Sequence, residues 1–149
     1  MRMGVKLPRL LKESFRKKYP MIKVSVTKQS NYPVKVSVIK RKLAGFIAKN
    51  GIVSDADVNV AMVGEKKMLE IGNKYLKDKN IHNVLSFVPS EVKGRFVYPP
   101  DGSIHLGEII VCYPQAVKEA GEGNVLIDER IYELIEHGAL HLLGIHHEE

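Results

Sequence analysis

The feature that most constrains this chain is the spacing of histidines near its C-terminal end. His137 and His141 are four positions apart, so on a helix both side chains project from one face. Gly144 follows, and a residue that tolerates positive φ ends a helix readily. The chain then reverses and brings either His146 or His147 back toward the same face. Three converging imidazoles with an open fourth position form a catalytic type of metal site.

The residue after the first histidine is Gly138, where zinc proteases with an H-E-x-x-H motif carry the glutamate base. This difference argues against ordinary proteolysis and for hydrolysis by a water molecule that a metal ion activates. Spacing reveals no general base. Glu136 projects about 100° away from the histidine face, and Glu148 and Glu149 directly follow the last histidine, where a frayed terminus holds a base poorly.

Three segments of the chain resemble one family. The C-terminal segment, HGALHLLGIHH, resembles the H-G-x-L-H-L-x-G-(Y)-D-H signature of the YbeY proteins, which are metal-dependent endoribonucleases linked to maturation of ribosomal RNA. Residues 83–87 (NVLSF) match that family's (D/N)-V-L-S-F segment, and residues 106–111 (LGEIIV) match its L-G-D-I-x-I strand, followed by a similar Gln115-Ala116 pair. The three segments occur in the family's order, and the resemblance covers roughly residues 22–149.

The resemblance implies a partner, a cofactor and a set of ligands. The substrate is RNA, and the biological target is ribosomal RNA or a ribosomal subunit. One ion per chain is held by His137, His141 and His147, because His147 occupies the position of the family's third histidine while His146 replaces its aspartate. Imidazole ligation suits Zn²⁺ best, with nickel, copper or iron as alternatives.

The other site residues rest on the same resemblance. Ser86, in the NVLSF segment, is expected to line the substrate groove and contact RNA. The family usually has arginine after the tyrosine that precedes this strand, and Leu76 follows Tyr75 here. Lys77 and Lys79 are close enough to supply point charges instead, although they lack the bidentate guanidinium fork.

Charge is distributed unevenly along the chain. Residues 1–42 hold 13 Lys/Arg and one acid, whereas residues 43–149 hold 10 Lys/Arg and 16 acids, within a formal net charge of +6. A cationic arm on a mildly acidic body favours a polyanion such as RNA over a solvated basic face. A membrane-surface helix is a third interpretation. We therefore expect a basic N-terminal extension at residues 1–21 and a single YbeY-like hydrolase domain at residues 22–149.

Cysteine content and the lack of long apolar segments indicate the cellular compartment. A single cysteine, Cys112, excludes an internal disulfide and fits a reducing cytoplasm, and we expect it to be buried in a strand. The sequence contains neither an apolar run that could span a bilayer nor the central apolar stretch of a signal peptide. These features predict a cytoplasmic protein.

Hydrophobic periodicity predicts the individual strands and helices. Together with the resemblance it implies an α+β fold, in which a small mixed β-sheet of about four strands packs with helices and a zincin-like metal helix lies near the C-terminus. The predicted elements are an amphipathic helix within residues 1–20, strands at 22–27, 57–63, 83–88 and 103–112, helices at 36–49, 65–75, 113–120 and 125–143, a linker at 121–123 and an irregular loop at 89–103.

Several residues, and the function itself, keep more than one interpretation at this point. Glu108 either orients an imidazole or is solvated, and His82 and His105 lie at the surface or behind the ligands. Three functions fit the pattern. The first is a metal-dependent endoribonuclease with a single-strand type of substrate, the second is a hydrolase of another substrate such as a peptide, and the third is a non-catalytic RNA- or ribosome-binding protein that keeps its metal for stability.

Overall fold

The computed structural model describes residues 20–91 and 103–145. Within these ranges the chain forms one four-stranded mixed sheet and four α-helices, which confirms the predicted α+β class. The elements are β1 (Ile22–Lys28), α1 (Val36–Lys49), β2 (Ala56–Val63), α2 (Glu65–Leu76), β3 (Val84–Phe87), a 3₁₀ turn (Pro89–Glu91), β4 (Ile104–Cys112), α3 (Tyr113–Gly123) and α4 (Ile127–Leu142).

The four strands form one mixed sheet in the order β1-β2-β4-β3. β1 pairs with β2 and β2 with β4 in parallel, whereas β3 runs antiparallel to β4 as an edge strand. The register between β2 and β4 shifts where Asp57 faces His105 and Val58 faces Gly107. Gly107 has a φ of +140°, and a Cβ there would lie 2.1 Å from the carbonyl oxygen of Phe87. Only glycine therefore fits at this bulge.

The main core lies between one face of the sheet and helices α1 and α4. Alternate residues of β2 face it, because successive side chains of a strand point to opposite faces, and Val58, Val60 and Met62 are fully buried. Helix α2 packs on the opposite face, where Met68 contacts a smaller cluster with Cys112. Burial raises the pKa of the Cys112 thiol, as expected for a packing residue rather than a reactive one.

Two local predictions about the helices were wrong. Residues 121–123 do not form a linker, since α3 continues to Gly123 and ends at Asn124, which has a left-handed φ of 53°. The last helix begins at Ile127 rather than at residue 125, and Ile127 is 38% exposed in its first turn. The predicted helix stop is confirmed, because Gly144 has a φ of +73°.

Some predictions fall outside the described residues. They are the basic N-terminal helix, residues 92–102 of the predicted loop, and the last four residues, which include His146 and His147. None of the helices in residues 20–91 and 103–145 combines the length and the apolar character needed to cross a membrane.

Candidate active site

A cavity of about 470 Å³ opens between α4, the edge strand β3, the end of α2 and the 3₁₀ turn after β3. His137 and His141 of α4 both line it, and both side chains are exposed. Their spacing of four residues places them on one face of the helix, as predicted. The wall around them is mostly apolar and includes Leu76, Val84, Phe87, Leu140 and Ile145.

Close packing between α4 and the sheet explains the glycine after the first histidine. Gly138 is buried, and a Cβ at this position would lie 2.8 Å from Cγ2 of Ile109 on β4. Separations under 3.0 Å force one of the two groups to move. A glutamate at position 138 would therefore require Ile109 or the histidine helix to shift, which disfavours the base that H-E-x-x-H proteases carry at this position.

Ser86 links the edge strand to the histidine helix. Its Oγ lies 2.6 Å from Nδ1 of His141. Ser86 faces Ile109 across the β3–β4 ladder, and Ile109 is the residue beneath Gly138. When the Nδ1–H of His141 donates to Ser86, Nε2 is the unprotonated nitrogen and can bind a metal ion. In this tautomer the hydrogen bond would orient His141 for the predicted role of ligand.

The donors described here would form part of the predicted zinc site. Residues 20–91 and 103–145 contain no group of three or more His, Cys, Asp or Glu side chains placed to hold an ion. His137 and His141 supply two imidazoles at one cavity, which fits the nitrogen donors that zinc prefers. The predicted third ligand, His147, and its alternative, His146, lie outside the described residues, so the complete ligand set stays a prediction.

The structure separates Leu76 from the two lysines that follow it. Leu76 is 45% exposed and lines the cavity. Lys77 caps α2 in a left-handed conformation with a φ of 58°, and Lys79 borders a different depression beside Asp78. Among the described lining residues of the cavity there is no Lys or Arg. A substrate contact by Lys77 or Lys79 stays a prediction.

Glu91 is a cavity residue that the sequence did not reveal. It ends the 3₁₀ turn and lines the same cavity as the two histidines. Its Oε1 accepts a hydrogen bond from the backbone N–H of Val88 at 2.9 Å, and its own N–H donates to the Val88 carbonyl at 2.9 Å. Only the path of the chain after β3 brings this carboxylate to the site, so spacing alone gives no signal for it.

A polar network holds the start of β3 against α3 and α4. Glu119 accepts hydrogen bonds from Arg130 Nη2 at 2.7 Å, Asn83 Nδ2 at 3.2 Å and Gln115 Nε2 at 3.2 Å. Burial alone raises the pKa of Glu119, but the three hydrogen bonds and the charge of Arg130 outweigh burial and lower that pKa below its ordinary value. The charged form of Glu119 therefore stabilises the strand that carries Ser86.

Three other polar residues lie away from the cavity. Glu108 is on the face of the sheet opposite α4, with its Oε1 3.5 Å from Nε2 of His105, so it orients neither His137 nor His141. The other ring nitrogen of His105 hydrogen-bonds Asp57. His82 pairs with a carboxylate at the end of α2. Neither His82 nor His105 supports the histidines of α4.

Comparison with known proteins shows the family. The profile of the family described as Endoribonuclease YbeY matches residues 23–149. The endoribonuclease YbeY of Dehalococcoides mccartyi is 34% identical over 101 residues, which cover 63% of each chain. The Azoarcus protein of that name is 30% identical over 132 residues, covering 89% of this chain and 52% of its own. This chain thus spans less than two thirds of the length of both relatives.

Other relatives match over more of their length. The endoribonuclease YbeY of Moorella thermoacetica is 33% identical over 126 residues, which cover 80% of each chain. The solution structure of TM1509 from Thermotoga maritima superposes with a TM-score of 0.56 at 25% identity, over 84% of this chain and 75% of that one. With its fold, the two histidines of α4 and the matched residues 23–149, this chain belongs to the YbeY family.

Proposed function

We propose that this chain is a metal-dependent endoribonuclease that cuts RNA, with a single-strand type of substrate, during maturation of ribosomal RNA. Membership in the YbeY family supports an endoribonuclease. The observation that carries the proposal is the shared cavity of His137 and His141, in which Ser86 bonds His141. The proposed compartment is the cytoplasm, where Cys112 would stay reduced.

The proposed cofactor is one zinc ion per chain, bound by His137, His141 and His147. We assign His147 over His146 because it stands at the position of the family's third histidine. When bound, the ion would lower the pKa of a water molecule and polarise a phosphoryl oxygen of the RNA.

The side chains of the cavity would position the RNA. When Ser86 accepts a hydrogen bond from His141, its own O–H stays available to donate to a phosphate oxygen. This arrangement agrees with the expected contact between Ser86 and RNA. The apolar wall with Leu76 and Ile145 would receive a base or ribose and exclude water around the scissile bond.

One observation favours a second function. The described lining of the cavity has no Lys or Arg, and Leu76 stands where the family usually has arginine. A guanidinium there would hold a phosphate and stabilise charge in the transition state. Without it, a non-catalytic RNA- or ribosome-binding protein that keeps zinc for stability is the alternative. Peptide hydrolysis is less favoured, because Gly138 packs against Ile109 where proteases carry their base.

The proposal is tested by removing and restoring the metal. The purified chain is treated with a chelator, reloaded with zinc, and offered a ribosomal RNA precursor, an unstructured RNA and a peptide mixture. We expect the loaded protein to cut RNA and the chelated protein to lose cleavage. Zinc-independent RNA binding without cleavage would support the second function, and cleavage of peptides alone would reject both.

A further inference from the structure

The cavity needs a proton acceptor, and α4 cannot supply one beside its first histidine. A side chain at position 138 would crowd the sheet, because a Cβ there would lie 2.8 Å from Cγ2 of Ile109. Glu136 is the neighbouring carboxylate on α4, and it does not line the cavity. Among the described residues, a base for an attacking water would therefore come from another wall of the cavity.

Glu91 lies on such a wall. Among the described residues that line the cavity, it is the one carboxylate. Two hydrogen bonds with the backbone of Val88 anchor it, and one of them engages Oε1. The remaining oxygen, Oε2, has no recorded partner among the described residues and can accept a proton or a hydrogen bond from water.

The geometry also argues that Glu91 is not simply a missing ligand. No set of three metal-binding side chains forms within residues 20–91 and 103–145, although Glu91, His137 and His141 all line one cavity. The carboxylate thus lies in the cavity without completing a ligand group with the two histidines.

We propose that Glu91 is a catalytic residue of this cavity and acts as its general base, an inference that rests on the proposed endoribonuclease function. The Glu91 carboxylate takes a proton from water while the water oxygen forms a bond to phosphorus and the bond from phosphorus to the leaving ribose oxygen breaks. Glu91 then gives that proton to the leaving oxygen, so the step balances without a further reactant.

The test uses Glu91→Gln in the full chain. Glutamine keeps an oxygen that can accept from the Val88 N–H, so the turn is preserved, but it cannot take a proton from water. We expect the single-turnover cleavage rate to fall by about 10²- to 10⁴-fold, while zinc content and RNA affinity stay at wild-type values. In Glu91→Ala, added formate should restore part of the rate, because a small carboxylate can enter the vacated space.

A matched control is Glu70→Gln, since Glu70 lies on the exposed side of α2 and borders a different groove. It should cleave like the wild type. Two results overturn the inference: Glu91→Gln cleaving within about threefold of the wild type, or Glu91→Gln losing zinc, which would make Glu91 a ligand. A wild-type chain that binds RNA but never cuts it rejects the proposed endoribonuclease function itself, and the inference falls with it.

Discussion

Oγ of Ser86 and Nδ1 of His141 lie 2.6 Å apart, although 55 positions of sequence separate the two residues. The bond joins the edge strand to the histidine helix, and when Nδ1–H of His141 donates to Ser86, Nε2 is the unprotonated nitrogen that the proposed metal ion would bind. Partners of this kind fix the orientation of a metal-binding imidazole. Ser86 is therefore expected to tune the metal site as well as to contact RNA.

Ser86→Ala tests this role. We expect zinc affinity, measured by competition with a chelating dye, to drop about 10- to 100-fold, and Ser86→Thr to recover much of it because the hydroxyl returns. Ser25→Ala is the control, because Ser25 pairs with Asn59 of β2 on the sheet face away from α4. Unchanged zinc affinity together with weaker RNA binding would assign Ser86 to RNA contact alone.

Gly138→Ala should destabilise the fold. The new Cβ would meet Ile109 at 2.8 Å, and overpacking of this kind costs about 1–3 kcal/mol. Gly45→Ala in α1 is the matched control, because nothing lies within 4 Å of a Cβ there; it should stabilise by about 0.5–1 kcal/mol. Denaturant unfolding measures both. Equal effects at the two glycines would show that α4 does not depend on close packing at position 138.

Leu76→Arg should strengthen RNA binding, because the new side chain lines the cavity and can engage a phosphate. One more phosphate contact with single-stranded RNA should steepen the slope of log affinity against log salt by about 0.7. Val53→Arg adds the same charge at an 85% exposed position in the loop before β2. If the two variants show the same salt slope, the gain is non-specific charge rather than a contact in the cavity.

Glu119→Gln should lower stability in a pH-dependent way. The pKa of Glu119 is depressed in the folded state from an ordinary value of 4.5, so its contribution is complete above about pH 4.5 and is lost as pH falls through the folded-state pKa. We expect a cost of about 1–3 kcal/mol at pH 7 that disappears in acid. Urea unfolding at pH 7 and in acid measures the free energy of unfolding. The control is Glu122→Gln, because Glu122 is exposed. A cost that persists in acid would contradict this assignment.

Helix α1 shows what sequence pattern determines well. The predicted bounds of residues 36–49 are those observed, because apolar positions at helical spacing must face the sheet, and Ile39, Leu43 and Ile47 are buried there. The shared face of His137 and His141 was predictable for the same reason, since two residues four positions apart on a helix project from one face. Local periodicity was sufficient in both cases.

Local sequence patterns did not predict contacts between distant segments of the chain. Two glycines at 121 and 123 predicted a linker, yet the helix continues to Gly123 and ends at Asn124 in a left-handed conformation. A glycine costs about 1 kcal/mol in a helix but does not exclude one. The position of Glu91 depends on how the chain turns after β3. The bond between Ser86 and His141 depends on the edge position of β3, which the similarity to a family suggested and spacing alone did not determine.

The central claim is that the histidines of α4 hold a metal on which RNA cleavage depends. The most direct measurement compares zinc content and RNA cleavage for the wild type, His141→Ala and His82→Ala, since His82 pairs with Asp78 away from the cavity. We predict about one zinc per chain and cleavage for the wild type and His82→Ala, and the loss of both in His141→Ala. A His141→Ala protein that retains zinc and cuts RNA at the wild-type rate would contradict the account.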